Sequence, residues 1–507
     1  MAWIIVLLFF LHSTRAANIL VMSTTVSHSH TIYSNAITMA LAAKGHKLVF
    51  LSPDEDRHPH PNVTTFHLEG LYDYTTYSAP LEDFPDSVSV LDTTFVLLGF
   101  EELNCKLLLT SGNKKFYKEY KDHKFDLILA DVSGGHCFMK YIHVFGHPPV
   151  VGFTPFFSFL SHDKGNFENP AYVPHYLSGY DDRMTFSERF NNWMHHNAHY
   201  LAHQYLGLPK YNKISEEFFG FKEPKIQDLQ REVSLILTDE HFSISRAKPT
   251  VPAVIPAGGL HIKPAKPLPE DIQEFVNGAK HGVIYFSLGS NFLSMRMTSE
   301  KKQMFLEAFR KLPQRILWKY EDDTLKNIPE NVLVRKWFPQ TDILGNNKTI
   351  LFMTHNGNLG THESIYFGVP MLGFPICIDQ FANNAKIVRS GLGLKLQLKE
   401  IKSSEQIIHK ITTITSNPSF KEKAERLSIL YRDRPMAPLD TAVYWIEYVL
   451  RHKGAGHLQV ASLDLAWYQL YLVDIYLTIA ASIFVVYYTF SKLIRILLTT
   501  GPKQKES

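Results

Sequence analysis

A chain of 507 residues, 45% hydrophobic and 20% charged, is long enough for two or three domains with substantial cores. Its formal net charge of +3 is too small to imply a nucleic-acid footprint. With 25 histidines, a histidine carries weight only where its context does.

In chain order, residues 4–11 (IIVLLFFL) followed by HSTRA read as a signal peptide over residues 1–16, cleaved near Ala16 or Ala17; the start lacks the usual Lys or Arg, and the alternative is a buried first strand. ANILVMST then reads as an apolar strand, residues 31–44 as a helix and HKLVFLS as the next strand, a βαβ unit with a buried parallel sheet. FDLILAD, ending at Asp131, and PPVVGFT are further strands, and residues 163–221, rich in aromatics, His and Asn, read as helices and loops beside the sheet. Residues 248–269 hold six prolines, Pro249, Pro252, Pro256, Pro264, Pro267 and Pro269, and read as a linker between an N-terminal unit (17–247) and a C-terminal one (270–455). After it come GVIYFSLGS, a helix over residues 299–312, and the short apolar strands RILWKY, NVLVRKW, TILFMTH, PMLGFP and GLGLKLQL. Two doubly wound α/β domains facing a cleft are the economical architecture. An amphipathic helix over Pro438–His452, with Asp440 as its cap, is expected to pack across the two halves.

Residues 470–490 are apolar apart from Asp474 and long enough to span a bilayer. Trp467, Tyr468, Tyr471, Tyr487 and Tyr488 sit where aromatic belts sit, and Lys492, Arg495, Lys503 and Lys505 make the tail (491–507) cytoplasmic. The body would then face a secretory lumen, with Asn62 and Asn347 in glycosylation sequons. The ending KQKES resembles a dilysine signal for return to the endoplasmic reticulum, or is a plain positive-inside tail. Three cysteines, Cys105, Cys137 and Cys377, are too few and odd in number for a disulfide framework and show no zinc-type pairing, so all three are expected as small buried hydrophobes.

No G-x-G-x-x-G follows the first strand of either half and there is no Walker loop, which disfavours dehydrogenases and P-loop kinases. The turn MTHNGNLGTHESIYFG instead leaves a strand through His355, Asn356, Gly357, Asn358 and Gly360 and enters a helix. Backbone N–H groups and the positive end of a helix dipole there suit an anion; a tight turn without a ligand is the other reading. Nearby in sequence lie Trp337, a flat aromatic face, Gln340, Glu363 one turn into the helix, and Asp379–Gln380 after the next strand. Together these groups suit the base, phosphates and hydroxyls of a nucleotide sugar.

The stretch RKWFPQTDILGNNKTILFMTHNGNLGTHESIYFGVPMLGFPICIDQFANNA resembles the signature of the UDP-glycosyltransferases. GVIYFSLGSN, LPQRILWKYEDD and RPMAPLDTAVYWIEYVLRHKGAGHL resemble the insect members most. The resemblance covers nearly the whole chain. It implies a GT-B type fold, α/β, with two Rossmann-like domains, the donor held by the C-terminal one and the acceptor by the N-terminal one. It implies that Trp337 stacks on uracil, Gln340 and Glu363 bind ribose, His355 and the backbone to Gly360 hold the diphosphate, Asp379 and Gln380 bind sugar hydroxyls, and Ser290 lies near the phosphates or uridine. The family's usual His-Gly-Gly is here His355-Asn356-Gly357, and Asn358 stands where Ser or Leu is common, so a side chain beside the phosphates would alter donor binding. Asn tolerates the left-handed backbone such a turn needs.

TVSHSHTIYSN places His28 and His30 at the cleft. On the residues alone, a histidine at a helix start and an aspartate at a strand end serve equally well as caps. The family's spacing to His46 selects His30 as the general base and Asp131 as its partner, with His28 a loop histidine. The reaction implied is a single inverting displacement without metal or other cofactor. A D-x-D tripeptide at Asp54-Glu55-Asp56, followed by His58 and His60, is read as a solvated loop rather than a metal motif. The partners implied are a UDP-sugar, UDP-glucose ahead of the galactose, N-acetylglucosamine and glucuronate forms, a small lipophilic hydroxyl acceptor met by the aromatic region 153–211, and the bilayer; a homo-oligomer stays open. Detoxification is the expected role. A catalytically silent binder of a lipophilic ligand or partner, or a membrane-bound oxidoreductase, are the readings from other classes.

Overall fold

The computed structural model describes residues 16–55, 59–69, 72, 80–84, 89–156, 164–245 and 247–500. The signal segment up to residue 15, Asp56, His58, residues 157–163 of the aromatic region, Lys503 and Lys505 lie outside the described residues. Two units are distinguished, one ending at Leu458 and one beginning at Gln459.

The first unit is built on two sheets whose paired strands all run parallel. The first is β1 (Asn18–Met22), β2 (Lys47–Ser52), β3 (Val63–His67), β4 (Leu127–Asp131), β5 (Val150–Thr154), β6 (Val233–Thr238) and β7 (Val254–Pro256), in the order β3-β2-β1-β4-β5-β6-β7. The second is β8 (Val283–Ser287), β9 (Arg315–Lys319), β10 (Val332–Arg335), β11 (Thr349–Thr354), β12 (Met371–Gly373) and β13 (Gly393–Lys395), in the order β10-β9-β8-β11-β12-β13. β4, β5, β6 and β8 are buried at every residue, as a sheet covered on both faces requires. In each sheet the order reverses once, between β1 and β4 and between β8 and β11. Chains diverge there, leaving a crevice at the carboxyl ends of the strands.

The helices that place the chemistry are α1 (His28–Ala43), α2 (Val90–Cys105), α3 (Phe186–Ala202), α4 (Leu208–Phe219), α5 (Ile226–Arg231), α6 (Ser299–Arg310), α7 (Gln340–Leu344), α8 (Asn358–Tyr366), α9 (Gln380–Arg389), α10 (Pro418–Arg432) and α11 (Pro438–His452). Local chemistry starts several of them. Thr185 and Glu188 form a capping box before α3, and the hydroxyls of Ser89 and Thr298 accept from N–H groups of α2 and α6. α1 begins at His28, three residues earlier than the sequence pattern suggests, because the N–H groups of His30 and Thr31 already close on the Ser27 carbonyl.

Several expectations need correction. The Pro-rich stretch 248–269 contains β7, a three-residue edge strand of the first sheet, where Pro256 costs no central ladder bond. α11 packs on the first domain: Ala442, Val443, Ile446 and Val449 join the core around Ile37 and Leu41 of α1, and Lys44 reaches Glu447 at 2.9 Å. Its cap position is Ala437, with Pro438 opening the helix and Asp440 in the first turn. Cys105 and Cys137 are not free hydrophobes but a disulfide, with Cα atoms 5.3 Å apart; only the packing of the end of α2 against the turn after β4 brings them together. Cys377 is free.

In the second unit, α12 (Val473–Thr499) is 27 residues long, about 40 Å at 1.5 Å per residue, and apolar enough to cross a bilayer. Asp474 falls in its first turn and Lys492 and Arg495 in its last turns.

Candidate active site

The first switch point carries an acid–base pair. His30, on the first turn of α1, sets its Nδ1 2.9 Å from Oδ2 of Asp131, the last residue of β4. Oδ1 of Asp131 accepts from the Ser133 N–H at 2.9 Å. Burial pushes the Asp131 carboxyl up, but the His30 charge and hydrogen bond and the Ser133 N–H outweigh it and hold the carboxyl below its usual value. An ionised Asp131 fixes the His30 tautomer with Nδ1 protonated and leaves Nε2 as the acceptor. His28 points elsewhere: it is the first residue of α1 rather than a loop residue, pairs with Asp54 at 2.7 Å and stacks on Tyr72 with centroids 4.2 Å apart. Asp54, read as part of a solvated loop, is thus held in a part-buried contact with His28.

The second switch point carries an N–H-rich turn. β11 ends at Thr354, His355 follows, and α8 starts at Asn358 with Gly357 as its cap. The His355 ring lies between two glycines: a Cβ would come within 2.4 Å of the ring at Gly289 and 2.5 Å at Gly357. Those glycines therefore make room for an imidazole as well as for close backbone approach. Burial first, and then the Lys319 charge, lower His355 to about 3, so the ring is neutral at ordinary pH and can donate a hydrogen bond but no charge.

Both loop asparagines turn their side chains away from the mouth of the turn, against the expectation that they would stand beside an anion. Asn356 adopts the left-handed backbone, φ 61°, and is buried. Its Oδ1 accepts from Asn384 at 2.9 Å, in a space that a Cβ on Gly373 would fill. Asn358 donates across the cleft to the Pro155 carbonyl at 3.0 Å and to Oδ2 of Asp239 at 2.9 Å, in the first domain. Asp239 follows β6; burial pushes its carboxyl up to about 7 despite hydrogen bonds from Gly259 and Asn358.

The other expected residues gather around this turn. Glu363 accepts from Gln340 at 2.5 Å and from Thr341 at 2.6 Å, and burial raises its carboxyl. Gly360 sits below Gln340, where a Cβ would come within 3.2 Å of Nε2. Trp337 leaves a face open, with 55% of its surface exposed, and Lys319 Nζ is 5.6 Å from its ring. Asp379 precedes α9, accepts from Asn383 at 2.6 Å and is raised by burial to about 6, with the His30 charge among the influences that lower it. Gln380 spends its carboxamide oxygen on its own loop, accepting from the N–H groups of Ile376 and Cys377. Ser290 is part-buried in the loop after β8. Asn347 is exposed before β11, while Asn62 is part-buried and donates to the Ala42 carbonyl at 3.2 Å.

Three residues of this site were not singled out in the sequence. Lys319, at the end of β9, donates to the Gly289 carbonyl and to Glu321, both at 2.9 Å, which puts a paired cation behind the turn. A lysine closing an apolar strand was its only signal. Thr341 has the signal of standing beside Gln340. Asn291, next to Ser290, donates to Ser27 Oγ at 2.9 Å and ties the two switch points together.

Comparison with known proteins identifies the class. The fold matches two solved glycosyltransferases: the glycotransferase of kitacinnamycin (TM-score 0.55, 16% identity, covering 86% of this chain and 99% of that one) and CalG4, the calicheamicin glycosyltransferase (TM-score 0.53, 16% identity, covering 86% and 99%). The architecture is that of the GT-B glycosyltransferases. Residues 17–504 match the family described as UDP-glucoronosyl and UDP-glucosyl transferase. UDP-glucosyltransferase 2 of Dactylopius coccus is 34% identical over 483 residues, 93% of this chain and 92% of that protein. UDP-glucuronosyltransferase 2B13 of Oryctolagus cuniculus is 32% identical over 494 residues, 94% and 90% of the two chains. The chain belongs to this family: it is a UDP-glycosyltransferase, a hexosyltransferase of glucosyl or glucuronosyl groups.

Proposed function

We propose that the protein transfers glucose from UDP-glucose to a hydroxyl of a small lipophilic acceptor, with inversion, using His30 as general base. The observation that carries this reading is the buried His30–Asp131 pair at one switch point, tied by the Asn291–Ser27 hydrogen bond to the loop after β8 at the other. An acceptor hydroxyl is a poor nucleophile until its proton is removed. His30 Nε2 takes that proton while Asp131 stabilises the imidazolium that forms. The acceptor oxygen bonds to the anomeric carbon as the carbon–oxygen bond to the β-phosphate breaks, and the electron pair leaves on UDP. The N-terminus of α8 and the neutral His355 ring, as a donor, meet that charge. With those groups aimed at the leaving oxygen, the step needs no metal.

In this reading Trp337 stacks on uracil, Gln340 and Glu363 hold ribose, Ser290 lies beside the phosphates, and Asp379 binds sugar hydroxyls. The occupied oxygen of Gln380 leaves its amide nitrogen for that work. Asn356 and Asn358 act through the shape of the turn. Glucose is favoured by the likeness to the UDP-glucosyltransferase named above, although glucuronosyltransferases match over the same length. Placement of the catalytic unit in the lumen of the endoplasmic reticulum as a single-pass type I protein is supported by the Cys105–Cys137 disulfide and by Lys492 and Arg495 toward the carboxyl end of α12. A detoxifying role fits an acceptor of that kind.

The test is UDP release from membranes carrying the chain, supplied with UDP-glucose or UDP-glucuronate and a panel of phenols, beside His30→Ala. Acceptor-dependent release with UDP-glucose that vanishes in the variant is the expected result. Release with UDP-glucuronate alone overturns the sugar, and release that survives in the variant overturns the base.

A further inference from the structure

The first domain holds a second polar cluster that the transfer reaction does not use. Glu101 lies on the last turns of α2, His136 opens the short 3-10 turn that follows β4, and His203 opens the π-helical turn His203–Gly207 between α3 and α4. The three are 3%, 1% and 2% exposed. Glu101 Oε2 is 3.0 Å from His203 Nδ1, Glu101 Oε1 is 3.5 Å from His136 Nε2, and one such atom from each residue lies within 4.8 Å of the others. Two imidazoles and a carboxylate are a donor set suited to zinc. Bonds of about 2.0–2.2 Å in a tetrahedron hold neighbouring donor atoms about 3.3–3.5 Å apart; the two short separations run to different oxygens of the carboxylate, and with one atom from each residue the set, within 4.8 Å, closes to that spacing by small side-chain shifts.

Two further observations point to a ligand rather than to a closed hydrogen-bond network. His136 Nε2 is buried without a hydrogen-bond partner and faces the carboxylate. Behind the carboxylate, the Tyr211 hydroxyl of α4 donates to Glu101 Oε2 at 2.8 Å, which orients it as a ligand; the Gln230 amide nitrogen of α5 donates to His136 Nδ1 at 2.9 Å, so metal on Nε2 requires that amide to turn its oxygen toward an Nδ1 proton.

The frame is rigid where it must be. The Cys105–Cys137 disulfide joins the residue four after Glu101 to the residue next to His136. A π-helical turn, which such helices use mostly at special sites, re-aims His203 at the end of α3. We propose that Glu101, His136 and His203 bind one zinc-class divalent cation, with water at the fourth position, which clamps α2 and the end of α3 to the loop that follows Asp131. The ion is structural, and it reaches catalysis only by holding that loop.

The experiment uses the detergent-solubilised full chain, stripped with chelator, loaded with zinc or cobalt(II) and passed through gel filtration. One equivalent of metal per chain is expected, with an intense tetrahedral cobalt band that zinc abolishes and a melting temperature several degrees above that of the stripped protein. Glu101→Gln and His136→Gln should each lose the metal and the shift while keeping the native circular dichroism. Absence of stoichiometric metal in the parent, or equal metal in the folded variants, overturns the proposal. Should the variants fail to fold, X-ray absorption of the zinc-loaded parent decides: two imidazoles with oxygen support the site, whereas sulfur from Cys377 or oxygen alone overturns it.

Discussion

The two switch points share one topology and differ in what they still need. At the first, the hydrogen bond between the His30 ring and the Asp131 carboxylate is already made before any substrate arrives. At the second, the lysine is paired with Glu321, the histidine is neutral, and what remains exposed to a guest is a helix N-terminus and its N–H groups. A base must be poised in advance, whereas a leaving-group site gains most from donors that only the developing anion satisfies. In the proposed reaction the same doubly wound crevice thus serves opposite halves of one displacement.

Breaking the poised half costs most. His30→Ala should lower kcat by about 10²–10⁴-fold, with little change in the KM for the UDP-sugar. Asp131→Asn should lower kcat by about 10²-fold, because an amide in place of the carboxylate no longer stabilises the imidazolium; steady-state kinetics in both substrates separates the two effects. Breaking the other half is milder and falls on the other substrate. Gly357→Ala drives a Cβ into the His355 ring, so the KM for the donor should rise about tenfold, about 1.4 kcal/mol, while acceptor KM stays put.

Two aspartates at the carboxyl ends of first-sheet strands, Asp131 closing β4 and Asp239 following β6, sharpen the contrast through pH. Asp131 lies below its usual value, so its contribution to stability is present above the unfolded value of about 3.9 and is lost as pH falls through the folded one. Asp239 is raised to about 7, so its contribution is full below about 3.9 and is lost as pH rises toward 7. Melting temperatures should show Asp239→Asn gaining on the parent between pH 5 and about 7 and holding that gain above it. A flat difference would mean that Asp239 is ionised in the fold throughout. The smallest effect is expected at Asn356: replacement by Gly relieves a left-handed side chain but forfeits the Asn384 bond, leaving stability within about 1 kcal/mol.

How much of this was legible in the chain follows from the range of the forces involved. Continuous apolar runs announced β1, β2, β4, β5 and the six strands of the second sheet; the central ones, covered on both faces, have no polar face to hide them, and the edge strands β10 and β13 keep apolar runs although part-exposed. β3, with its alternating VTTFH, and β6, VSLILT, carry weaker signals; β3 is a half-exposed edge strand, whereas β6 is buried throughout but interrupts its apolar run with Ser234 directly after a long helical region. The turn from His355 to Gly360 was readable because its chemistry is local: a strand end, glycines, a left-handed asparagine and a helix start lie within a few residues.

What the amino-acid order determined on its own was therefore the alternation of strands and helices, the anion-ready turn, the apolar helix and the family. These rest on periodicity, backbone freedom and contiguous motifs. Only the tertiary structure decided that Cys105 meets Cys137, that Asn356 and Asn358 turn inward and across the cleft, that Lys319 stands behind His355, and that Glu101, His136 and His203 converge. The physical reason is distance along the chain: His30 and Asp131 are 101 residues apart, and Asn358 and Asp239 are separated by 119. Such pairs are set by how two sheets and their helices pack, and no local pattern in the sequence encodes that packing.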